Sequence, residues 1–452
     1  MSAKTAPGPR GLPITGNLLA FRKDPLHFLE QSFREYGELV HLRFGPSRHL
    51  YLLTEPDLIK EVLLTKQQHF RKAKGLQTAK AVVGEGILTS EKEKHLRQRR
   101  LMQPSFRKDR ISAYGEAMVR HAERMTSQWE TGQTRVITED MMQLTLDIIM
   151  ETMFGSRLEE EIVGGIGRAI DVGMKYVSTR ASSFIDLPAS LPTKSNREFQ
   201  EASKLLDGVI YSIIEKRRKQ PAGEAGTGRK DLLSMLLAAR DEDGSAMTDE
   251  QVRDEVMTIF LAGHETTANT LSWTWYLLAL NPEAERKLHA ELDSVLQGRL
   301  PTPEDLDKLE YLQLLLWESM RLYPAVWAIN REVVDEVEIG GHTFRPGDTI
   351  MMSQYVMHRN PAYYDNPEEF RPERFEGDFM KTIPQFAYFP FGGGPRVCIG
   401  NNFAMMEAAL LIATVGQRFG LRLADGHPPV ELEPLVTLRP KNGLSMIVEA
   451  RG

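Results

Sequence analysis

The chain has 452 residues, 41% of them hydrophobic, so one large core is within reach and a second domain is not required. Lys plus Arg number 56 against 62 Asp plus Glu, a formal net charge of −6 that gives no general reason to expect a nucleic-acid partner. A single cysteine excludes an intramolecular disulfide and suits a reducing compartment. The start, MSAKTAPGPRGLPITGNLLAF, lacks the charged segment and apolar run of a signal peptide. No window holds the roughly eighteen apolar residues of a membrane span. The expectation is a cytoplasmic chain without a transmembrane anchor.

In chain order, a Pro/Gly-rich stretch (APGPRGLPITGN) precedes a helical pattern. LVHLRF and HLYLL, around the turn-forming GPSR, predict a β-hairpin in a β-rich corner over about 35–70. A helical body follows over about 71–322. KQPAGEAGTGRKD, Lys219 to Asp231, reads as a flexible loop too short to divide domains. TDEQ, Thr248 to Gln251, is a capping box, and the helix it opens runs to the Pro282 stop. That helix is about 45 Å long. Its middle carries AGHETT, Ala262 to Thr267, a polar cluster of poor helix formers that asks for a reason. Beyond Tyr323 come an irregular stretch with strands VEIGG and TIMMSQ, a glycine-rich loop, a helix and closing strands. The fold class expected is mainly α with a small β-rich region, in a single domain over 1–452.

The only cysteine, Cys398, stands in FGGGPRVCIG, residues 391–400. A lone cysteine is most often a small buried hydrophobe. Here glycines allow close backbone approach, Arg396 lies two residues before it, and a helix follows whose N-terminal dipole favours a thiolate. Zinc would call for more Cys or His at short spacing. One thiolate as the sole strong ligand suits haem iron.

Phe391-x-x-Gly394-x-Arg396-x-Cys398-x-Gly400 resembles the haem-binding signature of the cytochrome P450 family, the haem-thiolate monooxygenases, at every fixed position. The resemblance implies haem b with Cys398 as the axial metal ligand. It places Phe391 near the sulfur, Arg396 on a haem propionate and Gly400 at the end of the loop. The implied fold holds haem between the long central helix and the helix after the cysteine loop.

Three other stretches resemble family motifs. Glu318 and Arg321 share a helix face and could pair, though most such pairs are solvated and worth little. By resemblance they join Arg374 of FRPERF in a structural network that holds the cysteine loop. AGHETT is similar to the central-helix motif, which implies Glu265 and Thr266 as a catalytic acid–alcohol pair. Dioxygen cleavage consumes two protons; a hydroxyl can hold a water while a carboxyl relays protons. The hydroxyl can also bond back to a helix carbonyl. His264 reads as a packed or rim histidine. His95-x-x-x-Arg99 is a variant of a Trp-x-x-x-Arg pattern whose two residues could donate to the second propionate, and Arg331 is a further propionate candidate. The surrounding basic run, KEKHLRQRRLMQPSFRKDR, reads as a solvated face, as a docking patch for an acidic electron donor, or as both. HRNP, from His358, also resembles the family.

The implied reaction inserts one atom of dioxygen into a lipophilic small molecule: a fatty acid, terpenoid or steroid. Electrons would come from NAD(P)H through a separate ferredoxin or flavodoxin and its reductase, with no reductase region expected after the last strand and the enzyme acting as a monomer. Candidate pocket residues are Val82, Leu88, Ala262, Ala325, Val326, Trp327, Ala328 and Val436, with Arg48 a possible carboxylate anchor or a solvated turn residue. A redox-independent haem-thiolate isomerase or dehydratase, and a haem-based sensor, remain as alternatives; the Glu-Thr-Thr run counts against the first.

Overall fold

The capping box at Thr248 is formed in both directions. Thr248 Oγ1 accepts from Gln251 N at 3.2 Å, and Gln251 Oε1 accepts from Thr248 N at 3.0 Å. The structure is a computed structural model describing residues 6–155, 160–181, 191–219, 231–240 and 244–451. The interior of the loop expected after Lys219 lies outside these residues. The longer helices are α1 (Pro25–Tyr36), α2 (Lys92–Met102), α3 (Gly115–Thr126), α4 (Ile137–Phe154), α5 (Glu160–Ala181), α6 (Lys194–Arg218), α7 (Asp249–Leu280), α8 (Pro282–Leu296), α9 (Glu310–Leu322) and α10 (Asn401–Gly416). None among the described residues is long and apolar enough to cross a membrane.

α7 has 32 residues, about 48 Å of helix. It is buried on nearly every side, the condition of a helix at the centre of a core. α4 crosses it closely at Gly263, where a Cβ would stand 2.2 Å from Ile149 Cδ1. Thr145 Oγ1 of α4 donates to His264 O at 3.1 Å in the same crossing. Gly263 thus lies where the two helices pack closely, and a Cβ there would displace the tip of the Ile149 side chain. His264 is buried, packs face to face with Phe260, and has its pKa pushed down to about 4 by burial.

The strands are β1 (Leu39–Arg43), β2 (His49–Leu53), β3 (Phe70–Lys72), β4 (Thr134–Val136), β5 (Ile329–Val333), β6 (Val337–Ile339), β7 (His342–Phe344), β8 (Thr349–Met352), β9 (Phe419–Leu423), β10 (Leu432–Pro434), β11 (Leu438–Pro440) and β12 (Ser445–Ala450). The expected hairpin is β1–β2, in register from Leu39↔Leu53 to Arg43↔His49. It does not form the β-rich corner alone: the sheet runs β1-β2-β8-β5-β3, with β2 and β8 parallel. The corner thus extends beyond 35–70, because a hairpin needs further strands and a packed face to be stable. Its buried side chains Val40, Leu42, Leu50 and Leu52 meet Leu29 of α1. Near the other end of the chain, β10 and β11 form a separate hairpin.

Candidate active site

A cavity of about 1320 Å³ lies between α7 and the start of α10. The cysteine loop, β5, α2 and the β10–β11 hairpin complete its walls. The loop is closed by Cys398 N donating to Phe391 O at 3.0 Å. Gly394 has φ +64, and a Cβ there would stand 2.0 Å from Leu63 O. Only glycine fits, since the position is left-handed and pressed against backbone. The close neighbour at this glycine is the protein's own turn at Glu61–Thr65.

Cys398 counts as exposed by surface yet is almost wholly enclosed by protein. The two agree if its open surface faces the cavity it lines. Burial pushes the thiol up, while the Gly400 N–H and Arg99 pull it down. The expected thiolate stabilisation by the helix end therefore does not prevail in the protein alone. α10 starts three residues later, at Asn401, and desolvation of a charged sulfur outweighs those two contributions. A bound cation is what would hold the sulfur ionised.

Four side chains named from sequence converge on one wall of the cavity. His95 and Arg99 come from one face of α2, Arg331 from β5 and Arg396 from the loop. Sequence reading missed Lys72, at the end of β3, which joins them. Arg99 Nη1 donates to Val397 O at 2.8 Å and Arg331 Nη1 to Asn330 O at 3.0 Å. Arg396 pairs with Glu91 through Nη2, while its buried Nη1 has no partner. Burial, then repulsion by Arg396, lowers Arg331 to about 10. Burial, then Arg396, Lys72 and Arg99, lowers His95 to about 3. Lys72 falls well below its ordinary value through burial, then Arg331 and Arg396. Four basic side chains around one carboxylate leave an unmet demand for negative charge. Two haem propionates match that demand, and the orphaned Arg396 N–H supplies a donor for one. The residues present fit haem.

The Glu318 carboxylate is fully buried. It accepts from Arg321 Nε at 2.7 Å and Nη2 at 2.9 Å, and from Arg374 Nε at 3.1 Å. Arg321 Nη1 also donates to His358 O at 2.9 Å and Pro367 O at 2.7 Å. The His358 imidazole in turn accepts from Phe389 N at 3.0 Å through Nε2. Phe389 stands two residues before the cysteine loop, so hydrogen bonds lead from the buried ion pair to its threshold. The pair departs from the usual solvated case.

On α7, Thr266 Oγ1 donates to Ala262 O at 2.6 Å, the back-bond expected of it. Glu265 faces a different partner: its Oε1 accepts from Thr437 Oγ1 at 2.5 Å. Acid and alcohol both line the cavity but are not hydrogen-bonded to each other. Burial raises the Glu265 pKa, and the Thr437 hydroxyl opposes that rise. Val82, Leu88, Ala262, Ala325, Val326, Trp327, Ala328 and Val436 all line the same cavity. Trp327 is held by Nε1 donating to Leu435 O at 2.8 Å. Arg48 also lines it. Asn269 was missed, as was Thr437 as the partner of Glu265 (its stretch, Leu435 to Leu438, reads from sequence only as pocket lining), although Glu265, Asn269 and Trp273 stand at four-residue spacing, a stripe that shares one helix face. Lys72 and Glu91 carry no comparable local signal.

The cytochrome P450 family model matches residues 6–447. Cyclooctatin synthase of Streptomyces melanosporofaciens is 36% identical over 419 residues, 92% of this chain and 90% of that one. Cyclooctat-9-en-7-ol 5-monooxygenase of the same organism is 36% identical over 423 residues, 93% and 90%. Pentalenene oxygenase of Streptomyces avermitilis is 32% identical over 436 residues, 96% and 94%. Membership carries a haem with a cysteine-thiolate axial ligand, and this chain has a single cysteine to offer. The chain belongs to the cytochrome P450 family of haem-dependent monooxygenases.

Proposed function

We propose that this single haem domain, 1–452, hydroxylates or epoxidises a terpenoid. The observation that carries the reading is one cavity with the Cys398 thiol in its wall, a cationic cradle beside it, and Glu265 and Thr266 also lining it. The choice of terpenoid over fatty acid or steroid follows the relatives, whose names specify cyclooctat-9-en-7-ol and pentalenene as substrates. Haem bound to Cys398 would supply activated dioxygen, one atom entering the substrate and the other leaving as water.

The chain's own residues do the rest. Arg99, Arg331, Arg396 and Lys72 hold the propionates by charge-assisted hydrogen bonds, with His95 as a neutral donor. Phe391 and Gly400 complete the loop around the sulfur. The Glu318–Arg321–Arg374 network fixes that loop. Thr266 holds a proton-carrying water at the reacting face, and Glu265 delivers protons to it; burial favours the protonated form a donor needs. The apolar walls from Val82 to Val436 exclude bulk water and seat the substrate.

α2 turns His95 and Arg99 inward, while Lys92 and Arg100 of the same helix, with Arg107 and Lys108 just beyond, are exposed. That outer face is the proposed docking site for an acidic ferredoxin or flavodoxin fed by an NAD(P)H reductase. A monomer in the cytoplasm suits such exchange.

The test starts with the carbon monoxide difference spectrum of the reduced protein, whose Soret band should be strongly red-shifted and lost in Cys398→Ser. Cyclooctat-9-en-7-ol, pentalenene and fatty acids of graded length are then titrated for a substrate-type spectral shift. Binders are turned over with a surrogate ferredoxin chain. An ordinary histidine-haem spectrum would overturn the ligand assignment. Shifts with fatty acids alone would overturn the terpenoid reading.

A further inference from the structure

We propose that Thr437 is the positioning residue for Glu265: the β10–β11 hairpin presents its hydroxyl to the carboxyl and fixes where that carboxyl points. The inference rests on the reading of Glu265 as the relay acid.

The direction of the bonds is set by the donors available. Asn269 Nδ2 approaches Thr437 Oγ1 at 3.3 Å and can only donate. The hydroxyl's own proton is then directed to Glu265 Oε1 at 2.5 Å. Glu265 and Asn269 stand one turn apart on α7, and Trp273, one turn further, donates through Nε1 to Leu438 O at 3.0 Å. One stripe of α7 thus clasps Thr437 and Leu438. The hairpin is anchored on its other side by Leu438 N donating to Ala325 O at 2.9 Å and by Trp327 Nε1 on Leu435 O. All five polar contacts converge on residues 435–438, so the hydroxyl has little freedom to turn elsewhere. Leu435, Val436 and Thr437 line the cavity. The wall that a substrate presses on is therefore the element that holds the acid.

The same strand continues outward. Arg439 of β11, two residues beyond Thr437, donates to Glu433 at 2.7 Å and to Asp171 of α5 at 2.8 Å. The Asp171 side chain is half exposed. Arg439 and Asp171 also act on the Glu265 carboxyl through their charge, the first lowering its pKa and the second raising it. A donor to a carboxylate favours its ionised form, so Thr437 opposes the burial that raises Glu265.

The experiment is a pH titration of carboxyl infrared bands in the haem-loaded, substrate-free enzyme, with the Glu265 band identified by its loss in Glu265→Gln. Thr437→Val should move the Glu265 midpoint up by about one pH unit, tenfold in proton affinity. Thr437→Ser, which keeps the hydroxyl, should restore it. Thr437→Ala serves as the second variant, and the carbon monoxide spectrum and melting temperature establish that each is folded. A midpoint unchanged in both the valine and alanine variants, or shifted equally in the serine variant, overturns the proposal. Failure of the relay reading would show separately, as an unchanged ratio of product to reductant in Glu265→Gln.

Discussion

Glu318→Ala tests the buried network directly. The carboxylate compensates the guanidinium groups of Arg321 and Arg374 and also accepts from Arg371 N at 2.9 Å. Arg321 and Glu318 side chains are both 0% exposed. Removing one partner of a buried pair leaves uncompensated charge and costs about 3–5 kcal/mol. Unfolding entropy of about 2.1 cal/mol/K per residue gives roughly 1 kcal/mol per kelvin for 452 residues, so melting should fall by about 3–5 °C. The loss should reach the cysteine loop through His358 and Phe389, lowering haem content per chain. The control is Glu283→Ala, which breaks an exposed pair with Arg286 at the same three-residue spacing and should leave melting unchanged. Calorimetry and the haem-to-protein absorbance ratio measure both. Glu318→Ala melting within a degree of the parent, with full haem, would refute the argument that burial makes this pair matter.

Gly394→Ala should give protein with little haem, because the left-handed position alone costs about 1–3 kcal/mol and the new Cβ meets Leu63 O; retention of full haem content would contradict the steric argument. Thr266→Val should keep the carbon monoxide spectrum but lower product per reductant on the order of tenfold or more as peroxide rises, and undiminished product would remove Thr266 from the relay. Glu255 of α7 is buried, accepts from Ile87 N at 2.8 Å, and has its pKa raised to about 8, mainly by desolvation. Its native state keeps a proton that the unfolded state loses near 4.5, so stability falls as pH rises between those values, by about 1.4 kcal/mol per unit. Glu255→Gln lacks that slope and should gain on the parent from pH 5 to 8 in denaturant titrations; a constant difference would place the carboxyl in solvent.

What could be read from the chain was local. The capping box, the Pro282 stop, the β1–β2 hairpin and the cysteine loop each lie within a short stretch whose residues determine its conformation. The partners of β2 could not be read, since β8 lies about 300 residues on and parallel pairing leaves no turn signature. The same limit hid Lys72, which reaches the cavity because β3 is laid beside β5, and Glu91, which pairs with Arg396 from 305 residues away. The desolvation of Cys398 was hidden for a related reason: a helix end is visible in sequence, while burial against an enclosed cavity is not.

AGHETT shows how the two kinds of information combine. Gly263 and Thr266 both break the helix-propensity rule, and each invited a functional reading. In the fold, Gly263 stands at the crossing of α4, where a Cβ would have to displace the tip of the Ile149 side chain. Thr266 has no such close neighbour; it lines the cavity, and its hydroxyl's partner among the described residues is its own helix carbonyl, Ala262 O. Glu265 breaks a different rule, as a carboxyl buried beside a hydroxyl with no cation in hydrogen-bond contact among the described residues. Close helix packing bears on the first departure and not on the other two. Those two line the same cavity as the one cysteine, and a structural role assigns neither of them. Their cost in helix propensity and desolvation is offset by chemistry if by anything in the chain.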